Sequence, residues 1–400
     1  MKLTMREALI ILAAAGLAVA QPASHYIGAG GCASSNCHGA AAPLAPSDSR
    51  ILGNEYATWS VADKHARAYK VLLEPRGKRM AEVLKISDAT HDKRCAVCHV
   101  VGSPEKSLND GVACEACHGP AEKWLGTHTR QNSHAASVQA GMIDTKNIEI
   151  RAKTCLACHL GSGDQVVEHD LIAAGHPDLA FELDTFTAAQ PAHHRPMPPA
   201  MRVRAWAVGQ TAALAEMSRL VAAHAAKSWP EFSDLECYQC HHDLKADSWR
   251  IARGYDARRP GSLQLNTSRL EIVRDLVSVA APDQRAALES ALTRLTSSVM
   301  DGGSTALGAK AVERIADNLT QKFQTQDVDA AAVLRAVTAS IQRIADAGVN
   351  AAEQATMTLD ALGAALGRNP DLTAPLYNYL EHPSTYRPNE FVNLFQKAAM

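Results

Sequence analysis

In the last third of the chain, apolar residues recur with the period of a helix. Leu270, Val273, Leu276 and Val277 fall on one helical face. The pattern predicts helices over 267–281, 283–300, 307–324, 328–347 and 350–367. Starts follow Asn266, Pro282 with Asp283, and Asp327; stops fall at Gly302-Gly303, Gly348 and Gly367. Short connections between helices of this length make the tail an antiparallel helical bundle, structural or partner-docking in role. Further back, 201–229 reads as a long amphipathic helix ended by Pro230, and 54–73 as a helix stopped by Pro75. Elsewhere in the first part regular structure is sparse. Loops rich in Gly, Ser and Pro occupy 101–111, 161–164 and 190–200. The expected class is all-α.

The first twenty residues form a separate pattern. Lys2 and Arg6 precede an apolar run from Ala8 to Ala20, and Ala18-Val19-Ala20 fits the small-x-small cleavage rule. The run is too short to span a bilayer comfortably, although an uncleaved anchor is the alternative reading. No cysteine follows it directly, which argues against a lipoprotein. The expectation is a signal peptide over 1–20 and a mature, periplasmic or otherwise exported protein from about Gln21. It has no stable membrane span after cleavage.

Composition adds two constraints. The formal net charge of −2 offers nothing to nucleic acid. Apolar residues make up 46 % of the chain but aromatics only 5 %, so something else must help to fill the core.

The cysteines show what. Ten occur, as five close pairs: Cys32 and Cys37, Cys95 and Cys98, Cys114 and Cys117, Cys155 and Cys158, Cys237 and Cys240. Four pairs are CxxCH: "CAVCH", "CEACH", "CLACH" and "CYQCH". The first, "CASSNCH", has a wider loop and the same trailing histidine. A zinc ribbon joins two pairs around one metal and would leave a fifth idle. A thioredoxin-type dithiol would occur once. Haem c explains every part: two thiols form thioethers with the porphyrin vinyls, and the adjacent imidazole falls under the iron. The proximal ligands are then His38, His99, His118, His159 and His241. Five haems are expected. Four is the fallback, since Cys32 and Cys37 could instead form a local disulfide. Porphyrins would also supply the flat apolar core that the aromatics do not.

All ten cysteines lie between 28 and about 250, and beyond 260 the only histidine is His382. This shift places a boundary in the linker "GYDARRPGSLQLN". A haem-dominated cytochrome domain over 21–255, with sparse helices and long loops, would precede a helical domain over 256–400.

Low-spin irons need a sixth ligand. His65 shares a face with apolar residues, and His224 lies on the apolar stripe of its long helix. His128 comes ten residues after His118, while His169 and His176 are seven apart, two helical turns, and can serve different irons. These five are the candidate distal ligands. His91, His134 and His242 are weaker, and His25 and His382 are remote. His193 and His194 lie in a Pro-rich loop where exposure is expected. Met80, Met142 and Met217 fit core packing better than ligation.

The stretches "DKHARAY" (63–69), "KRCAVCHVVG" (93–102), "GVACEACHGPAEKWLGTH" (111–128) and "TCLACHL" (154–160) resemble the cytochrome c-554 family, tetrahaem carriers of nitrifying bacteria. The resemblance covers roughly 30 to 180. It implies an exported electron-transfer protein with closely stacked, mostly bis-histidine haems, and distal roles for His65 and His128. It also implies that the haem at "CAVCH" lacks a sixth protein ligand, so the His99 haem becomes the candidate open site. The "CASSNCH" spacing, the fifth motif and the helical tail depart from the family pattern.

Three functions follow. The leading one is an exported pentahaem cytochrome that relays electrons between unidentified redox proteins. It requires no acid–base dyad or nucleophile. The second is a multihaem reductase or oxidase that acts on a small nitrogen or sulfur compound at one open iron. The third is a subunit of an extracellular cytochrome filament.

Overall fold

The computed structural model describes residues 24–45, 50–101, 110–163, 165–241, 245 and 262–400. The expected signal peptide, His242 and residues 254–261 of the linker lie outside the described residues. The described chain is all-α. It has isolated bridges at Ser162 with Gln165 and at Leu235 with Leu265, and no longer strand.

In the first part the helices are short: α1 (Glu55–Ala62), α2 (Ala68–Leu73), α3 (Pro75–Val83), α4 (Lys93–His99), α5 (Cys114–His118), α6 (Leu125–His128) and α7 (His134–Gln139). They are followed by α8 (Ile148–His159), α9 (His169–Ala173), α10 (Leu183–Ala189) and the long α11 (Pro199–Lys227). The tail adds α12 (Ser268–Ala280), α13 (Arg285–Ser297), α14 (Gly302–Phe323), α15 (Ala330–Ala339), α16 (Ile341–Asp346), α17 (Val349–Ala365), α18 (Ala374–Leu380) and α19 (Pro388–Ala399).

Several departures from the sequence pattern have local causes. The helix expected over 54–73 breaks at Asp63, whose backbone is extended (φ −82°, ψ 130°). Its carboxylate accepts the His65 N–H at 2.9 Å and competes with the helical ladder. Pro75 ends one helix and opens the next: Glu74 is extended, and Pro75 takes the first position of α3, where a missing N–H costs nothing. Gly302-Gly303, read as a stop, begins α14, with Asp301 accepting the Gly303 N–H at 3.2 Å. The segment 328–347 divides at Ser340, whose hydroxyl donates to Asp275 at 3.0 Å. Two further helices, α18 and α19, follow Gly367. In α19, Phe391, Val392, Phe395 and Ala398 are buried at helical spacing.

One apolar core runs from Ile148, Ala152 and Leu156 on α8, through α11, to Ala398 on α19. Helix α11 is its axis. It packs most extensively along α14 and also touches α8, α10, α12 and α17. Trp206, Val208 and Leu214 are fully buried there. At its middle, Thr320 of α14 donates to the Thr211 hydroxyl at 2.9 Å. The consequence for the cysteine motifs is direct. Helix α8 carries Cys155, Cys158 and His159 in its last turns, so one attachment motif is a rib of the bundle.

Candidate haem-binding site

Three of the CxxCH motifs are helical. Helix α4 ends on His99, α5 is "CEACH" itself, and α8 ends on His159. Cysteines three apart on a helix share a face, and the next residue closes the turn. "CYQCH" uses a 3-10 turn over Cys237–Gln239, and Cys32 ends a 3-10 turn begun at Ala29. No disulfide joins any of the ten cysteines, Cys32 and Cys37 included. Different motifs adjoin. Gln165 Nε2 donates to Cys158 Sγ at 3.2 Å and Cys98 Sγ at 3.5 Å, and the Cys32 and Cys114 thiols are hydrogen-bonded.

The main relationship involves the histidines. Each motif histidine faces a second imidazole. Ring centres are 6.3 Å apart for His38 and His128, and 6.4 Å for His99 and His176. They are 6.3 Å apart for His118 and His193, 6.0 Å for His159 and His65, and 6.1 Å for His241 and His169. Interplanar angles range from 11° for the first of these pairs to 89° for the second. An iron holding two imidazole nitrogens at about 2 Å each, with about 1.2 Å from nitrogen to ring centre, would set the centres about 6.4 Å apart. Either plane angle is allowed, because each ring turns about its own metal bond. The residues therefore fit haem iron at all five places.

Orientation is set on the far side of several rings. The Nδ1–H of His38 donates to Glu55 at 2.9 Å, that of His65 to Asp63 at 3.0 Å, and that of His99 to the Ala68 carbonyl at 2.8 Å. His128 and His176 donate likewise to the carbonyls of Leu125 and Pro177. This leaves Nε2 unprotonated and free to ligate.

Electrostatics agree. Burial, and then the neighbouring His193, hold His118 down at about 4. Burial and then His65 do the same to His159, also at about 4. Burial also lowers His99 and His193. These rings are neutral near pH 7, the form that binds a metal. Burial pushes the Glu55 carboxyl up, but the His38 hydrogen bond and backbone N–H donors outweigh it and hold the group at about 2.

Four of the five expected distal histidines, His65, His128, His169 and His176, face a motif histidine. His224 does not: its Nδ1–H donates to Asp234 at 2.7 Å, and among the described residues its ring faces no other histidine. His193 takes the remaining place. Its loop is pinned inward by Arg195, whose guanidinium donates to the Leu44 and Ala45 carbonyls, and whose N–H donates to Arg50 O at 2.9 Å. Those acceptors are far away in sequence, so no local signal reveals the burial. His91 and His134 are engaged with Asp88 and Asp144.

Repeated thiol pairs on an all-helical frame, each followed by an imidazole that a second imidazole faces, have the pattern of a c-type cytochrome site. Residues 32–119 match the family model for cytochrome c554 and c-prime. A cytochrome c-554 of Nitrosomonas europaea is 31 % identical over 115 residues, which is 24 % of this chain and 48 % of that protein. The chain thus spans about half the length of that relative. No solved structure is significantly similar to it. Among the described residues, no helix is long and apolar enough to cross a membrane.

Proposed function

We propose that the protein is an exported pentahaem cytochrome that relays electrons between redox proteins. The observation that carries this reading is the second imidazole facing each of the five motif histidines. The cysteine pairs would hold the five haems, and the paired histidines would close their irons. Haem c supplies a one-electron iron couple. The chain's own part is to position and tune. Short attachment helices bring different motifs into contact, as at Cys98 and Cys158. Carboxylates and carbonyls at Nδ1 hold the rings in one tautomer and raise their basicity.

The alternative, reduction or oxidation of a small nitrogen or sulfur compound, needs an open iron. The resemblance to the family directs attention to the His99 site, but here His176 faces His99 at 6.4 Å. A carrier is therefore the better reading.

The test is a haem count on the purified ferric protein together with low-temperature EPR. Five haems per chain with only low-spin signals are expected. A high-spin signal that shifts on addition of nitrite or hydroxylamine would overturn the carrier reading in favour of the enzyme.

A further inference from the structure

We infer that residues 169–176 form a two-ended bracket, with His169 closing the iron at the His241 site and His176 closing the iron at the His99 site. The inference rests on the pentahaem reading above. It adds that the fifth haem is the direct neighbour of the one for which the family resemblance implies an open iron.

The bracket is built around α9. His169 is its first residue, and the C-terminal end is closed by Gly175. Gly175 has φ +116°, a conformation that a side chain strains, and donates its N–H to Ile172 O at 2.9 Å. The next N–H, that of His176, reaches back to Leu171 O at 2.9 Å. These two bonds form a helix-terminating motif that turns the chain sharply and holds the first residue beyond it. His169 and His176 therefore occupy the two ends of one compact element.

Each end is tied to the segment that presents the corresponding motif. At the first end, the His169 N–H donates to Glu231 Oε1 at 3.0 Å. Glu231 also accepts the Ser233 N–H at 3.1 Å, capping the turn that leads into Cys237. Phe232 packs its edge on the His169 ring at 5.6 Å. At the other end, the Gly175 carbonyl accepts Arg76 Nε of α3 at 3.0 Å. Helix α3 continues from α2, whose Ala68 carbonyl takes the His99 Nδ1–H. His176 donates its own Nδ1–H to Pro177 O at 2.8 Å, which leaves Nε2 unprotonated in a ring centred 6.4 Å from that of His99. The same few residues thus fix both distal rings relative to both attachment motifs. The site that would otherwise be open becomes an internal step between the other haems and the fifth.

The experiment compares full-length holoprotein with His169→Ala, His176→Ala and the double variant, by haem count and ferric EPR. The expected result is five haems throughout. Each single variant gains one high-spin iron that binds cyanide, the double variant gains two, and added imidazole returns them to low spin. An unchanged spectrum for His176→Ala, or one open iron in the double variant, overturns the bracket. A wild-type count of four or fewer overturns the pentahaem reading instead. Should an alanine variant fail to mature, His176→Met and His169→Met keep six ligands. Each should then show a sulfur-to-iron charge-transfer band and one raised potential, and absence of both overturns the bracket.

Discussion

The ring of His193 lies 6.3 Å from that of His118, with the two planes 20° apart. His118 belongs to a CxxCH motif, and His193 lies in a proline-rich loop seventy-five residues later. The loop reaches the site because Arg195 fastens it to the carbonyls of Leu44 and Ala45. His224, on the apolar stripe of α11, gives its Nδ1–H to Asp234 and, among the described residues, faces no second imidazole.

This difference separates two substitutions. His193→Ala should convert one low-spin haem to high spin while the haem count stays at five. His224→Ala should leave every iron low-spin. It should still cost stability, because Asp234 loses its partner in a buried setting, on the order of 1–3 kcal/mol. EPR checks the first result and urea unfolding the second.

Glu55 and Asp63 should lower the potentials of the irons they serve. A carboxylate on Nδ1 gives the imidazole anionic character and favours the ferric state. Glu55→Gln and Asp63→Asn keep the shape and remove the charge. Each should raise the potential of one haem by on the order of 50 mV, the equivalent of about 1 kcal/mol in a one-electron couple. A spectroelectrochemical titration reads this as one component displaced upwards in each variant.

Glu182 sets a pH dependence. It opens α10, accepting the N–H groups of Asp184 at 3.0 Å and Thr185 at 2.7 Å. Burial pushes its carboxyl up to about 7, against the pull of those donors. Unfolded, the group titrates near 4.3. Between these values the unfolded chain has released a proton that the folded chain keeps, so stability falls as pH rises and then levels above about 7. The loss is at most about 4 kcal/mol. Glu182→Gln should flatten this component, visible as a smaller difference between urea midpoints at pH 5 and pH 8.

Gly308 marks a close approach of α13 and α14. A Cβ there would lie 2.9 Å from Leu295 Cα and 3.2 Å from Leu295 N. Backbone cannot yield as a side chain tip does, so the overpacking cost of about 1–3 kcal/mol exceeds the gain of about 0.5–1 kcal/mol from replacing glycine in a helix. Gly308→Ala should therefore destabilise. Gly303→Ala, in the first turn of the same helix, meets only Asp301 Oδ1 at 3.6 Å and should be neutral or stabilising. Thermal unfolding of the two variants side by side tests the contrast.

Much of the fold was legible. The apolar period located α11 and most tail helices, because a helix burying one face must repeat that face every three to four residues. Breaks were harder. Asp63 and Ser340 interrupt helices through side-chain bonds that a periodic pattern does not contain. The boundary read near 255 follows where the cysteines stop. The core does not stop there: Leu156 on α8 and Phe395 on α19 belong to one cluster. Apolar contact depends on neighbours in space, whatever chemistry the segment carries.

The candidate site divides in the same way. The sequence alone determined where the five thiol pairs and their trailing imidazoles lie, since the groups proposed to hold one cofactor fall within a few consecutive residues. It also provided the pool of second histidines. Only the tertiary structure decided which of them meets which motif: His65 with His159, His193 with His118, His176 with His99. Each of those pairs joins two segments far apart along the chain, and such pairings are set by helix ends, pinned loops and a shared core that no local pattern encodes.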